Sequence, residues 1–244
     1  MRIFGRSDAG MLRSENQDAF GECALRGGGR FAIVCDGMGG EKGGKMAAEI
    51  CVSTFLSSLK DADMPDEEEL KDILLSANTE VLATALKSGY TRTGTTLVLA
   101  AATSDTLTLL WVGDSRAYLM QGDSLVRLTR DHSYVQELVD LGRISEKEAR
   151  THEKRHLVTR AVGADAVVFP DVRTVPWSEG DRLLLCSDGL FSMVEEKEIT
   201  EILKEEHTPA RTVHELVCAA NSHGGEDNIT VMLLENTKES YPDA

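Results

Sequence analysis

The chain has 244 residues, 41% of them apolar and 27% charged, with a formal net charge of -15. This is the composition of a soluble globular protein long enough for one large core or two small ones. The acidic balance excludes a nucleic-acid-binding surface and docking on an anionic membrane. Five cysteines (Cys23, Cys35, Cys51, Cys186, Cys218) are odd in number and show no CxxC spacing, so they read as buried thiols of a reducing, cytoplasmic compartment.

MRIFGRSDAG at the start lacks the apolar stretch of a signal peptide, and no window reaches the roughly 18 apolar residues of a membrane span. NQDAFGECA and FAIVCDG then read as strands, the first beginning after Asp18 and the second ending at Asp36. GGKMAAEICVSTFLSSLK, residues 43–60, reads as a helix with Met46, Ile50, Thr54 or Phe55, and Leu59 at helical spacing. DADMPDEEE forms a solvated loop and an acidic helix start. The helix it opens places Leu70, Ile73, Leu74, Val81 and Leu82 on one face.

TTLVLAAAT, TLTLLWVG and RAYLMQGDSLVRLT follow as strands, the last a hairpin about QGD. Residues 130–160, polar and containing His132, His152 and His156, interrupt the strand pattern and read as a surface insertion. VVFPDVRTVPW, DRLLLCS and NITVMLL resume it, with helices at EEKEITEILKEEH and PARTVHELVCAANSHG. Many strands on short turns imply an α+β fold, a four-layer αββα sandwich of two stacked, mainly antiparallel sheets with helices outside.

Three apolar strands end in an aspartate (Asp36, Asp114, Asp188), and two begin just after one (Asp18, Asp227). In antiparallel sheets the end of one strand lies beside the start of its neighbour, so all five carboxylates can share one edge of the sandwich. Each alone also fits an ordinary Asp-Gly or Asp-containing turn. Together they repel one another unless cations neutralise them, which predicts bound metal. An all-oxygen donor set favours Mg²⁺ or Mn²⁺ over Zn²⁺ or copper, and two such ions suit a displacement at phosphorus.

LRSENQDAF, VCDGMGG, RTGTT, VGDSRAYL, LTRDHS, LLLCSDGL and EDNIT occur in an order that resembles the bacterial type 2C (PPM) metal-dependent Ser/Thr protein phosphatases, over residues 3–234. The resemblance implies one phosphatase domain at 1–236 with a flap at 130–160 and a polar tail at 237–244. It implies direct hydrolysis of phosphoserine and phosphothreonine by a hydroxide bridging two Mn²⁺ or Mg²⁺ ions, with a third, weaker ion in bacterial members. By position, Asp36 matches the bridging aspartate, Gly37 a backbone carbonyl ligand, and Asp188 and Asp227 the other ligands of the first ion. Asp18 matches the acidic residue serving the second ion, and Asp114 a ligand of the third. Arg13 matches the phosphate-binding arginine, His156 a flap histidine that handles substrate and is the candidate catalytic helper in protonating the leaving oxygen, and Asn228 a supporting polar residue.

Two positions depart from the wider family. Gln17 stands where many members have Glu, which removes a charge near the second ion, and Met38 stands where animal members carry a histidine proposed as general acid. Thr95, Thr96 and Arg116 read as structural, Arg116 pairing with an acidic neighbour, and Trp111 and Trp177 as packing residues. The expected partners are phosphoserine and phosphothreonine proteins, including a Ser/Thr kinase, and the expected state is a monomer. The rival reading, a phosphoprotein-binding pseudophosphatase, would be favoured by loss of a metal aspartate, and none is lost.

Overall fold

The computed structural model describes residues 1–237, apart from the side chains of residues 40 and 41, so the tail beyond Thr237 lies outside the described residues. Twelve strands among them form two five-stranded sheets and one short ribbon, with every named pair antiparallel. The first sheet contains β1 (Arg2–Asp8), β8 (Arg116–Gln121), β9 (Ser124–Arg127), β11 (Arg182–Cys186) and β12 (Ile229–Glu235), in the order β1-β12-β11-β8-β9. The second contains β2 (Ala19–Ala24), β3 (Arg30–Cys35), β6 (Leu97–Ala102), β7 (Thr106–Val112) and β10 (Asp171–Pro176), in the order β10-β7-β6-β3-β2. β4 (Gly37–Met38) pairs with β5 (Gly94–Thr95) as the ribbon.

The central strands are apolar throughout because both of their faces are covered. Side chains alternate across a strand, so β3 sends Ala32 and Val34 into the layer between the sheets and Phe31, Ile33 and Cys35 toward the outer helices. There they meet α1 (Gly40–Leu59) and α2 (Glu67–Ser88). β12 likewise puts Met232 and Leu234 between the sheets and Val231 and Leu233 against α5 (Asp188–Phe191), α6 (Glu196–Lys204) and α7 (Pro209–Ser222). The order of layers is helices, sheet, sheet, helices, as the sequence implies.

Three details differ from the sequence reading. β1 goes unrecognised in MRIFGRSD, although it pairs with β12 over its whole length. The buried face of α1 is Ala47, Ala48, Cys51, Val52, Phe55 and Leu59, while Met46, Ile50 and Thr54 are only half-buried. Leu56 and Val52 bring α1 close to β2, where a methyl group on Gly21 would press on them at 2.7 and 3.0 Å. Cys218 is exposed, not buried, because it sits on the outer side of α7 beside the buried pair Leu216 and Val217, and Cys23 is half-buried.

The start of α2 is acidic, as the sequence implies. Asp66 accepts a hydrogen bond from the Glu69 amide at 2.9 Å, with Glu67, Glu68 and Glu69 at the positive end of the α2 dipole. The insertion after β9 holds two short helices, α3 (Tyr134–Asp140) and α4 (Glu146–Thr151), begun by Ser133 and Ser145. Its two roots are tied together, since the Thr159 amide donates to the His132 carbonyl at 2.8 Å and Tyr134 to Leu157 at 2.8 Å. Trp111 and Trp177 are packing residues whose indole N–H groups donate to the carbonyls of Arg130 and Thr103 at 2.9 and 2.8 Å.

Candidate metal centre

The strand pairing decides where the five aspartates lie. Ala19 at the start of β2 pairs with Cys35 at the end of β3, so Asp18 and Asp36 follow side by side on the second sheet. Cys186, at the end of β11, pairs with Val231 of β12 and with Arg116 at the start of β8, which brings Asp188, Asp227 and Asp114 to the same edge of the first sheet. Asp36 feels the negative charge of the other four. The convergence expected from the sequence is therefore present.

Asp18, Asp36 and Asp188 reach solvent at the edge of the sandwich but are densely surrounded by protein, and Asp114 is buried. Burial, more than any neighbour, raises their pKa values. Asp18 is pushed up to about 6, countered by hydroxyl hydrogen bonds from Thr230 and Ser187. Asp114 is pushed up to about 7, by burial first and then by Asp131, with Arg116 opposing. Asp36 and Asp188 stand well above the ordinary carboxylate range, again by burial first and then by neighbouring carboxylates.

The polar atoms around these carboxylates aim them rather than neutralise them. Ser187 Oγ donates to Asp18 Oδ2 at 2.8 Å, and the Asp36 amide donates to Thr96 Oγ1 at 3.1 Å. Thr96 Oγ1 in turn contacts Ser115 Oγ at 2.7 Å, joining the Asp36 and Asp114 turns. Asn228 accepts from the Gln17 amide at 2.8 Å and donates to the carbonyls of Ala9 and Glu15 at 3.0 and 2.9 Å, which pins the loop carrying Arg13. Of these, the sequence reading assigned supporting roles to Thr96 and Asn228 and missed Ser115 and Ser187. Their only signal is adjacency to Asp114 and Asp188.

Asp18 Oδ1 and Asp188 Oδ1 are closed off from water and accept no hydrogen bond among the described residues. Neither residue, nor Asp36, has a Lys, Arg or His in ion-pair contact among the described residues. Unpaired oxygen donors at a crowded carboxylate edge fit a hard divalent cation. Among the described residues, no histidine or cysteine side chain shares the cluster's hydrogen bonds, which keeps the donor set all-oxygen. Gly37 sits where a side chain would overlap the carbonyl oxygens of Gln17 and Gly44, so only glycine lets these three backbones meet beside Asp36. Gln17 turns its amide oxygen toward Gly44, and Met38 pairs with Gly94 in the ribbon.

Arg13 reaches the same edge, half-exposed, with Nη2 donating to Asp227 Oδ2 at 2.8 Å. A cavity of about 1550 Å³ opens there, lined by Arg13, Asp114, Asp188 and Asp227 on its floor and by Arg155 and His156 from the insertion. His156 is exposed and its pKa is lowered, by burial of part of the ring and by Arg155, against the opposing charge of Asp227. His132, in contrast, is a structural residue. It is buried, stacks on Trp111 with centroids 6.4 Å apart, and accepts the Gly113 amide on Nδ1 at 3.1 Å. Arg116 pairs with an acid as expected, gripping Asp131 at 2.7 to 3.2 Å while lying 3.6 Å over the Phe191 ring.

Residues 13–222 match the family model described as protein phosphatase 2C. The chain belongs to the protein phosphatase 2C family. Among 2C-type relatives, the serine/threonine phosphatase Stp of Listeria innocua is 39% identical, with 94% of each chain covered. Protein phosphatase PhpP of Streptococcus pneumoniae is 33% identical over 98% of this chain and 99% of that one. The solved serine/threonine phosphatase of S. agalactiae superposes with a TM-score of 0.88 at 33% identity, covering 95% of this chain and 98% of that one. A PstP catalytic domain solved in complex with two manganese ions gives 0.84 at 32% identity, covering 96% and 97%.

Proposed function

We infer that this protein 2C-type chain is a protein-serine/threonine phosphatase that removes phosphate from phosphoserine and phosphothreonine of proteins with the help of two Mn²⁺ or Mg²⁺ ions. The observation that carries the reading is the set of aspartates left without a cationic partner, with Asp18 Oδ1 and Asp188 Oδ1 buried and unbonded. The two-manganese PstP structure supports the choice of ion. In this reading Asp36, the Gly37 carbonyl, Asp188 and Asp227 would hold the first ion, Asp36 and Asp18 would serve the second, and Asp114 would help hold a third, weaker one. When bound, the ions supply an activated water and offset the charge of the phosphoryl group in flight.

The side chains do the remaining work. Arg13 presents planar donors beside the carboxylates, suited to two oxygens of a phosphate monoester. Asn228 holds the Arg13 loop by its two carbonyl contacts and so sets the guanidinium's place. Met38 carries no proton to give, and His156, its pKa lowered by partial burial and by Arg155, stands at the cavity rim. In this reading His156 handles the substrate from the rim, and the proton for the departing Ser or Thr oxygen comes from water, with that imidazole as the candidate helper.

The span 1–236 acts as one catalytic unit with the 130–160 segment as its flap, on the support that both flap roots close on the sheet edge. No helix among the described residues is long and apolar enough to cross a membrane. The finer reading is a monomeric enzyme of the cytoplasm that opposes a Ser/Thr kinase, and the free cysteines support a reducing compartment. The deciding assay uses purified protein, a phosphothreonine peptide and millimolar Mn²⁺. Hydrolysis that stops with EDTA is expected, whereas no phosphate release on any phosphopeptide or aryl phosphate would refute the function.

A further inference from the structure

The turn between α6 and α7 gathers a second donor set that the phosphatase chemistry does not use. One donor atom each of Glu205, His207 and Glu215 lies within 4.8 Å of the other two. The His207 amide bonds back to the Glu205 carbonyl at 2.8 Å, and Thr208 with Pro209 then opens α7, which brings Glu215 round to the same side. His207 Nε2 stands 2.7 Å from Glu205 Oε2 and 3.5 Å from Glu215 Oε1. Yet Nε2 is closed to water and makes no hydrogen bond of acceptable geometry among the described residues.

That combination argues against a plain imidazole–carboxylate pair, which would direct the ring N–H along the line to one oxygen. Donors that crowd one another off that line are arranged around a shared point. A tetrahedral Zn²⁺ with bonds of about 2.0–2.2 Å to nitrogen and oxygen sets its donors roughly 3.3 Å apart. The separations of 2.7 and 3.5 Å fall on either side of that value. Arg211 Nε donates to Glu215 Oε1 at 2.8 Å, orienting the carboxylate as an outer partner of a metal ligand does and offsetting one negative charge.

We propose that Glu205, His207 and Glu215 form a structural Zn²⁺ site, with water as fourth ligand, that staples the end of α6 to α7. The imidazole separates this site from the all-oxygen aspartate edge in its choice of ion. Distance separates them too. Arg182, at the start of β11, donates to the Glu205 carbonyl at 3.1 Å, while Asp188 follows the other end of that strand, roughly 20 Å away at about 3.3 Å per residue. The ion acts on the fold, and through it on the cavity, because α6 contributes Glu196, Glu198 and Glu201 to the cavity wall.

The test is a calorimetric titration of Zn²⁺ into the full chain with the aspartate edge saturated by millimolar Mg²⁺, for wild type, His207→Ala and Glu215→Gln. Wild type takes up one more equivalent than either variant, its affinity at that site falls more than about 100-fold on substitution, and Zn²⁺ raises the melting temperature of wild type alone. Two-donor pairs such as His214 and Cys218 give a background common to all three proteins. Retained Mn²⁺-dependent hydrolysis certifies that both variants fold. Equal Zn²⁺ stoichiometry and affinity in all three proteins would overturn the site and leave an ion pair only.

Discussion

The two ends of strands β11 and β12 solve one problem in opposite ways. At the Arg182 end, the carboxylate of Glu235 is almost fully buried and the chain itself supplies its countercharge, Arg182 at 2.9 Å and Arg2 at 3.1 Å. At the Asp188 end, Asp18, Asp36 and Asp188 crowd together with no basic side chain in contact among the described residues, and burial and mutual repulsion raise all three pKa values. A chain that can place arginines on Glu235 leaves Asp18, Asp36 and Asp188 without them among the described residues. The difference separates a carboxylate that holds the fold from carboxylates that await a cation.

The largest effect that sharpens this contrast is catalytic. Asp36→Asn or Asp188→Asn should lower kcat/KM on a phosphothreonine peptide by about 10³-fold or more, the scale of removing a central electrostatic contributor. The same variants, stripped of metal, should melt no lower than wild type, because a repelling charge has gone. Glu235→Ala should do the reverse. It removes the carboxylate that Arg2 and Arg182 share, costing about 3 kcal/mol by denaturant titration, with turnover per folded molecule unchanged.

Arg13→Ala comes next. Its loss removes a charged hydrogen-bonding partner worth about 1.5–3 kcal/mol, so kcat/KM should drop about 10- to 100-fold while Mn²⁺ stoichiometry stays the same. The smallest effect is one of pH. Asp18 and Asp114 hold protons up to about 6 and about 7 in the folded chain, above the ordinary carboxylate value of 3.8. A raised carboxylate pKa adds stability while the group is protonated, and that stability fades as pH rises through the folded values. In EDTA the melting temperature should therefore fall by several degrees from pH 5 to 8, and Mn²⁺ should flatten or reverse the trend.

Much of this edge is legible in the amino-acid sequence because each aspartate punctuates an apolar strand, and antiparallel pairing forces strand ends together. Asp114 and Arg116 are placed by the same logic, and Arg116 finds its acid in Asp131. The buried face of α1 is harder to read, since it includes the small residues Ala47, Ala48 and Cys51, and the close approach to Gly21 is made by Val52 and Leu56. β1 escapes because RIFGRSD mixes charges with a glycine, its burial coming from β12 and not from its own pattern. Ser187 and Ser115 act through hydroxyl contacts that only three-dimensional neighbours reveal. The α6–α7 donor set escapes as well, because Glu205 and Glu215 look like solvated helix-end charges until the turn folds them about His207.

The claim that the unpaired aspartates exist to hold ions is tested most directly by calorimetric titration of Mn²⁺ into EDTA-stripped, dialysed protein at pH 7.5. Wild type should take up at least two ions at the carboxylate edge, and Asp36→Asn, which removes the residue that feels all four other aspartates, should lose that uptake. A wild-type chain that binds no Mn²⁺ at millimolar concentration, or an Asp36→Asn variant that binds it as well as wild type, would contradict the account.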